Sequence, residues 1–433
     1  MCSMTVPLDR LYHFVENIAQ EIYGNLVVIY RFYPHGSKKI QDLTLSKEQS
    51  VKTYLVSPEI ICNDQEPLNY DLYHNFDIRL QESPNSILNT IYSQHSSKFP
   101  TFNLRGPITN IWDHALLLHS EDRSAQVELY KNTQFIPVYY WSHAVIAKDW
   151  FRYAEHVAQK KNVNQTFLIY NRAWSGTREY RLRFAELLIQ TNLQKHCQTT
   201  VNPIEPELGI HYNTHQFCNP IWRPQTVLEN YFPASLAHSG YSADFDIEDY
   251  QSTDVEVVLE TLFDDSRLHL TEKSLRPIAC GQPFIIVGTS GSLEYLRRYG
   301  FKTFADIWDE SYDLVENPQE RLIQIAELMK LIANWPADVR ENKMAQARVV
   351  ADYNHQHFFS KEFFDLVVDE LKTNLVTAFE QIEEKNTSSF FMQRQKILNS
   401  IPEWVNRSDR NTTPEEDQQV LAQALKYYQR IKS

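Results

Sequence analysis

The stretch Leu270-Thr271-Glu272-Lys273-Ser274-Leu275-Arg276-Pro277-Ile278-Ala279-Cys280-Gly281, followed by Gln282-Pro283 and Phe284-Ile285-Ile286-Val287-Gly288, constrains the fold more than any other part of the chain. It predicts a short helix, a glycine stop, then a buried strand ending in a second glycine turn. Thr271 is the N-cap, because its hydroxyl can accept an orphan N–H of the first turn. Gly281 closes the helix in a left-handed conformation. Pro277 removes one backbone donor and frees the Lys273 carbonyl, so the helix should be short or kinked. A helix N-terminus attracts anions, and this one carries Lys273 and, one turn later, Arg276. Glu272 repels phosphate but can accept hydrogen bonds from a pair of sugar hydroxyls. Cationic donors plus one hydroxyl acceptor suit a nucleotide diphosphate with its ribose. The competing reading is a solvated surface helix with a Glu/Lys pair. Context favours the site: Gly288-Thr289-Ser290-Gly291-Ser292 leads into a second helix start at Leu293–Arg298. Helix, strand, glycine turn and helix is the order of a Rossmann-type half, which binds ligands at the carboxyl ends of its strands.

The pattern Glu260…Thr271-Glu272-Lys273…Arg276…Ala279-Cys280-Gly281…Pro283 resembles the donor motif of the alpha-1,3-fucosyltransferase family and of related phage-encoded glycosyltransferases. The resemblance implies that Glu272 holds ribose hydroxyls, that Lys273 holds the diphosphate and that Glu260 supports the site. A second segment is similar to the same family: a strand at Thr166–Tyr170, a loop at Asn171–Gly176 and a helix from Thr177 through Leu188. Arg178 and Arg181 are three apart and share a helix face. Arg172 and Ser175 lie in the preceding loop. Guanidinium forks bind phosphate oxygens in bidentate fashion, which makes these arginines candidates for the diphosphate. Position alone would equally allow solvated helix charge. The loop departs from the family, since Asn171-Arg172-Ala173-Trp174 stands where Ser-Asn-Cys is usual, so the resemblance leaves base and sugar open.

In the first half, Asn63-Asp64-Gln65-Glu66-Pro67-Leu68 follows a predicted strand, Pro58–Asn63. A carboxylate there is where an inverting transferase needs its base, to take the proton of the attacking hydroxyl. Fucosyltransferases keep a catalytic glutamate in a comparable acidic segment; Glu66 resembles it best, and Asp64 is the second candidate. Pro67 keeps Glu66 extended. The alternative is that Asp64 caps a turn and Glu66 is a solvent carboxylate. His119 and His143 either line the acceptor cleft or are satisfied core groups. Asp244-Phe245-Asp246 mimics a D-x-D metal motif but lacks flanking strands and reads as a solvated turn. Asn219-Pro220-Ile221-Trp222-Arg223-Pro224 suits stacking on a sugar or base, or is a packed loop.

A chain of 433 residues suggests two domains, and 42% hydrophobic content supplies ample core. The net charge of −13 gives solubility and disfavours broad nucleic-acid binding. No apolar run approaches the ~18 residues of a membrane span. The start lacks the marks of a signal peptide. Five cysteines without paired spacing fit reduced thiols in a cytoplasm (of the host cell, if phage-encoded) and argue against zinc.

The resulting expectation is an α/β chain with two Rossmann-like domains facing a cleft, the GT-B architecture. Residues 1–157 form the acceptor side, 158–352 the nucleotide-sugar side, and 353–433 C-terminal helices crossing back to the first domain, with a polar tail. Helices are expected at Glu320–Trp335 and Phe358–Phe379, and an irregular stretch at Val201–Tyr241. The expected reaction moves a sugar, with inversion, from a nucleotide diphosphate sugar to a hydroxyl of a glycan or other acceptor, and requires no metal or further cofactor. Arg178, Arg181, Lys273 and the helix dipole would neutralise the leaving diphosphate. Two alternatives stay open: the same chemistry on a hydroxymethylated base in phage DNA, and a non-catalytic nucleotide-sugar-binding or assembly protein of the same fold.

Overall fold

A computed structural model of the protein describes residues 29–30, 55–56, 115–124, 135–151, 154, 162–206, 208–232, 245–378 and 380–381. The chain divides into two compact units. One contains Glu121–Ser124 and Trp141–Val368; the other contains Pro7–Ser120, Ala125–Tyr140 and Asp369–Ser433.

In the second of these units, the strands β1 (Ile29–Tyr30), β2 (Leu55–Val56), β3 (Ala115–His119) and β4 (Phe135–Tyr139) pair in parallel in the order β1-β2-β3-β4. His119 is buried and meets Tyr139 edge-on at 5.6 Å, as a packed core ring does. Asn374, in a helix at 361–378, donates to the Tyr139 carbonyl at 2.7 Å, so part of the C-terminal region returns to this sheet.

The other unit opens with α1 (Ser142–Trp150) and is built on β5 (Gln165–Ile169), β6 (Cys197–Thr199), β7 (Thr253–Leu259) and β8 (Phe284–Val287). All pairings are parallel, in the order β6-β5-β7-β8. β7 reads Thr-Asp-Val-Glu-Val-Val-Leu and is buried at every residue, as is the Phe-Ile-Ile-Val of β8. Continuous β-branched burial is the signature of a parallel sheet covered on both faces. The helices are α2 (Tyr180–Gln190), α3 (Ile247–Ser252), α4 (Glu272–Ala279), α5 (Ser292–Arg298), α6 (Pro318–Ala333) and α7 (Ala337–Phe359).

Local chemistry explains the boundaries near the sheet's carboxyl edge. Thr271 caps α4, its hydroxyl accepting Lys273 N–H, and Gly281 has φ +66°. α4 keeps only eight residues around Pro277. Gly288 follows β8 because a Cβ there would lie 2.9 Å from Ser292 Oγ and 3.5 Å from Glu260 Cβ. α6 begins with Asn317 as cap and Pro318 at its first position, a favoured pairing of residue and site. The expected helix at Phe358–Phe379 differs in the structure: α7 runs to Phe359, Ser360 breaks it, and a new helix covers 361–378. The stretch 201–232 carries only 3-10 turns and an isolated bridge between Ile204 and His211 among its described residues.

Candidate functional site

In a sheet of order β6-β5-β7-β8, successive connections leave β5 in opposite directions, so a crevice forms outside the carboxyl ends of β5 and β7. Glu260 is the first residue past β7 and is fully buried. Its Oε1 accepts Thr271 N–H at 3.1 Å, Ser274 N–H at 3.2 Å and Ser274 Oγ–H at 2.6 Å. Its Oε2 accepts Thr271 Oγ1–H at 2.8 Å and Thr261 N–H at 3.1 Å. The anion seated at the N-terminus of α4 is thus the protein's own carboxylate. That revises the expectation that this helix end receives phosphate directly; Glu260 instead fixes where Glu272 and Lys273 stand.

Those two side chains are buried. Lys273 Nζ lies 2.8 Å from Glu272 Oε1 and 3.1 Å from Thr271 Oγ1. Glu272 Oε2 stands 3.1 Å from His143 Nδ1, within ion-pair range though not aligned as a hydrogen bond. The His143 ring meets His269 edge-on at 4.9 Å. His143 was legible in the sequence only as a histidine near apolar residues, and His269 gave no signal. Trp141 Nε1 donates to the Leu270 carbonyl at 2.8 Å and so ties the start of α1 to the approach to α4.

Past β5, the loop reaches a different carboxylate. Glu205, fully buried in the irregular stretch, accepts Trp174 N–H at 2.8 Å and Ser175 N–H at 3.2 Å through Oε2. Arg178 is buried and its Nε donates to the Ser175 carbonyl at 3.2 Å. Arg172 is half-buried in the same loop. Both terminal nitrogens of Arg181 turn to the backbone, donating to the carbonyls of Ala173 and Leu259 at 2.7 Å and of Glu260 at 3.1 Å, while its Nε makes no hydrogen bond. Its neighbour Tyr180 donates to the Glu260 and Val287 carbonyls. Arg181 therefore closes the gap between the β5 loop and β7, which corrects its assignment to the diphosphate. The reason is geometric: Arg181, in the first turn of α2, reaches the carbonyls at the end of β7 and in the β5 loop.

Arg276 is corrected as well. It sits one turn into α4, where it pairs with Glu256 in the middle of β7 at 2.6 Å and lies over the Tyr170 ring at 4.4 Å. Burial would depress its pKa, but Glu256 outweighs that and holds the guanidinium charged. Burial likewise pushes Glu256 up, against Arg276.

Polar atoms without partners collect at this same edge. Among the described residues, Asn171 Oδ1, Thr261 Oγ1 and Thr289 Oγ1 are buried and make no hydrogen bond. They follow β5, β7 and β8 respectively, and the register pairing Leu259 with Val287 puts Thr261 and Thr289 at equal height beyond it. Each such atom costs about 1–3 kcal/mol if left unpaired. Three of them at one sheet edge mark it as a place for polar recognition rather than packing.

Other sequence expectations resolve as packing. Asp246 caps α3 by accepting Glu248 N–H at 2.9 Å. Asp249, three residues on, is buried and accepts Tyr170 Oη–H at 2.7 Å. Trp222 is buried, its Nε1 donating to Asp264 at 2.7 Å, so it offers no stacking face. Among the described residues, no cluster of His, Cys, Asp and Glu could hold a metal ion, and no helix is long and apolar enough to cross a membrane. Asp64 and Glu66 lie outside the described residues. Compared with known proteins, the chain matches no protein-family model, no curated protein and no solved structure.

Proposed function

We propose that this protein is a glycosyltransferase that binds a nucleotide diphosphate sugar at the carboxyl edge of the β5–β8 sheet and transfers the sugar to an acceptor hydroxyl. The observation that carries the reading is the meeting, at one strand-order reversal, of the Glu260-organised Thr271-Glu272-Lys273 turn with unpartnered Asn171, Thr261 and Thr289. Lys273 and the loop arginines Arg172 and Arg178 are the cations suited to a diphosphate, and Glu272 is the acceptor suited to ribose hydroxyls. Arg181 and Arg276 shape the edge without touching the donor. The resemblance to fucosyltransferases adds a GT-B arrangement, with an acceptor domain in the first half carrying the base, Glu66 or Asp64. No metal is required, because protein cations take the leaving charge.

One observation favours a second reading, a non-catalytic binding or assembly protein. Glu272 and Lys273 neutralise each other at 2.8 Å, so the edge is electrostatically closed on its own. The first test is a thermal-shift panel of guanosine, uridine, adenosine and cytidine nucleotide sugars. A true donor at a hundred times its dissociation constant stabilises by about 2.7 kcal/mol. A panel in which no nucleotide sugar raises the melting temperature would overturn the proposal.

A further inference from the structure

At the opposite, amino edge of the same sheet lies a polar cavity of about 490 Å³. That is within the ~300–1,000 Å³ span of small-molecule sites. Gln165 and Asp254, at the starts of β5 and β7, form part of its wall, with Lys195, His196, Arg340 and Arg348 around them. The strands separate it from the donor edge by roughly 17 Å, five residues of parallel strand.

Asp254 is buried and serves two guanidinium groups at once. Its Oδ2 accepts Arg340 Nε at 3.2 Å and Nη2 at 2.7 Å; its Oδ1 accepts Arg348 Nη2 at 3.2 Å. One carboxylate cannot neutralise two guanidinium charges. Lys195 adds a third cation, and Glu341 on the cavity wall offsets one. A net positive charge therefore remains in a chain whose total is −13. The Asp254 bonds also orient the forks, leaving Arg340 Nη1 and Arg348 Nε and Nη1 to other acceptors. Burial, and then the charges of Lys195 and Arg340, hold His196 below its ordinary pKa, as expected where cations converge on one cavity.

We infer that this cavity is a second binding site, independent of the donor edge, for a small phosphate-bearing anion. Oriented guanidinium forks match phosphate oxygens in bidentate geometry, and a lysine adds a mobile point charge. The scarcity of aromatic side chains in its wall excludes a base-stacking site, so recognition is of the phosphate itself.

The test is calorimetric titration of the full chain with inorganic pyrophosphate, in the unchanged protein and in the Lys195→Glu, Arg348→Gln and Lys273→Ala variants. Lys195 is exposed and Arg348 is partly exposed, and in Arg348→Gln the Asp254 carboxylate keeps Arg340, so both variants should fold. The expected result is binding weakened by roughly tenfold to a hundredfold in Lys195→Glu and Arg348→Gln, the worth of one charged hydrogen bond, with the amino-edge component of binding persisting in Lys273→Ala, whose own loss is confined to the donor edge. Binding lost only in Lys273→Ala would place the anion at the donor edge and overturn the inference. So would the absence of any pyrophosphate binding at millimolar concentration. The first of these results would still support the donor edge as a diphosphate site, and the thermal-shift panel reads nucleotide-sugar binding separately, so the two readings fail distinguishably.

Discussion

Glu260 grips Ser274 twice with a single oxygen, accepting its hydroxyl at 2.6 Å and its backbone N–H at 3.2 Å. The end of β7 is thereby riveted to the first turn of α4, the turn that carries the Glu272–Lys273 pair. Precision at that turn comes from a fully buried carboxylate behind it.

Glu260→Gln should therefore destabilise the protein strongly. The amide keeps one acceptor but turns an NH₂ toward donors, leaving buried N–H or O–H groups of Thr261, Thr271 or Ser274 unpaired. The expected loss is about 3 kcal/mol, read as a lower urea midpoint at unchanged slope. A midpoint equal to that of the unchanged protein would show that the riveting is energetically idle.

Arg181 and Lys273 should separate by the quantity they disturb. Arg181→Met takes the donor from the Ala173 and Leu259 carbonyls, while the Glu260 carbonyl keeps Tyr180 Oη–H, so it should cost about 2–4 kcal/mol of stability. Nucleotide-sugar affinity per folded molecule should hold. Lys273→Ala should instead weaken nucleotide-sugar binding by about 1.5–3 kcal/mol, the worth of a charged hydrogen bond. Calorimetry on both variants decides: unchanged affinity in Lys273→Ala removes Lys273 from the donor site.

Asp313 predicts an unusual pH dependence. Burial pushes its carboxyl from 3.8 up to about 6, although the Leu293 N–H bond at 3.1 Å opposes the shift. The folded state then holds this proton more tightly than the unfolded chain. Its contribution is complete below about pH 4 and is lost as pH rises through about 6, the reverse of a salt-bridged aspartate. A shift of about two units corresponds to about 3 kcal/mol. Urea unfolding at acidic and neutral pH should show unchanged protein losing that much relative to Asp313→Asn, which cannot ionise. Parallel pH profiles for the two proteins would refute the assignment.

What the sequence made legible was local. Thr271, Pro277, Gly281 and Gly288 act within a turn of their own positions, and each marks the boundary expected of it. Pairing across the chain was not legible. Nothing near Arg276 in sequence points to Glu256, twenty residues earlier, and nothing near Ser175 points to Glu205, thirty residues later. Buried charges look like solvated ones until their partners are known. α7 escaped for another reason: its buried positions are Met344, Ala347, Ala351, Asn354 and Phe358, correctly spaced for a helix but mostly too small or polar to register as an apolar face. The carboxyl-edge threonines and Asn171 likewise become informative only once their lack of partners is visible.

The decisive prediction separates a transferase from a binder and rests on the first half of the chain. If Glu66 is the base, it acts only as the sugar–phosphate bond opens, by accepting the proton of the attacking hydroxyl. Glu66→Gln keeps shape and polarity but cannot take that proton. Donor affinity should hold while turnover falls by roughly 10²–10⁴-fold, the usual size of general-base catalysis. The same fall in Asp64→Asn with Glu66→Gln silent would move the base two residues upstream. Full turnover in both variants would leave the inverting mechanism without its base. A protein that binds nucleotide sugar yet turns over none of it, before any substitution, would be the binding protein that the internally neutralised Glu272–Lys273 pair favours.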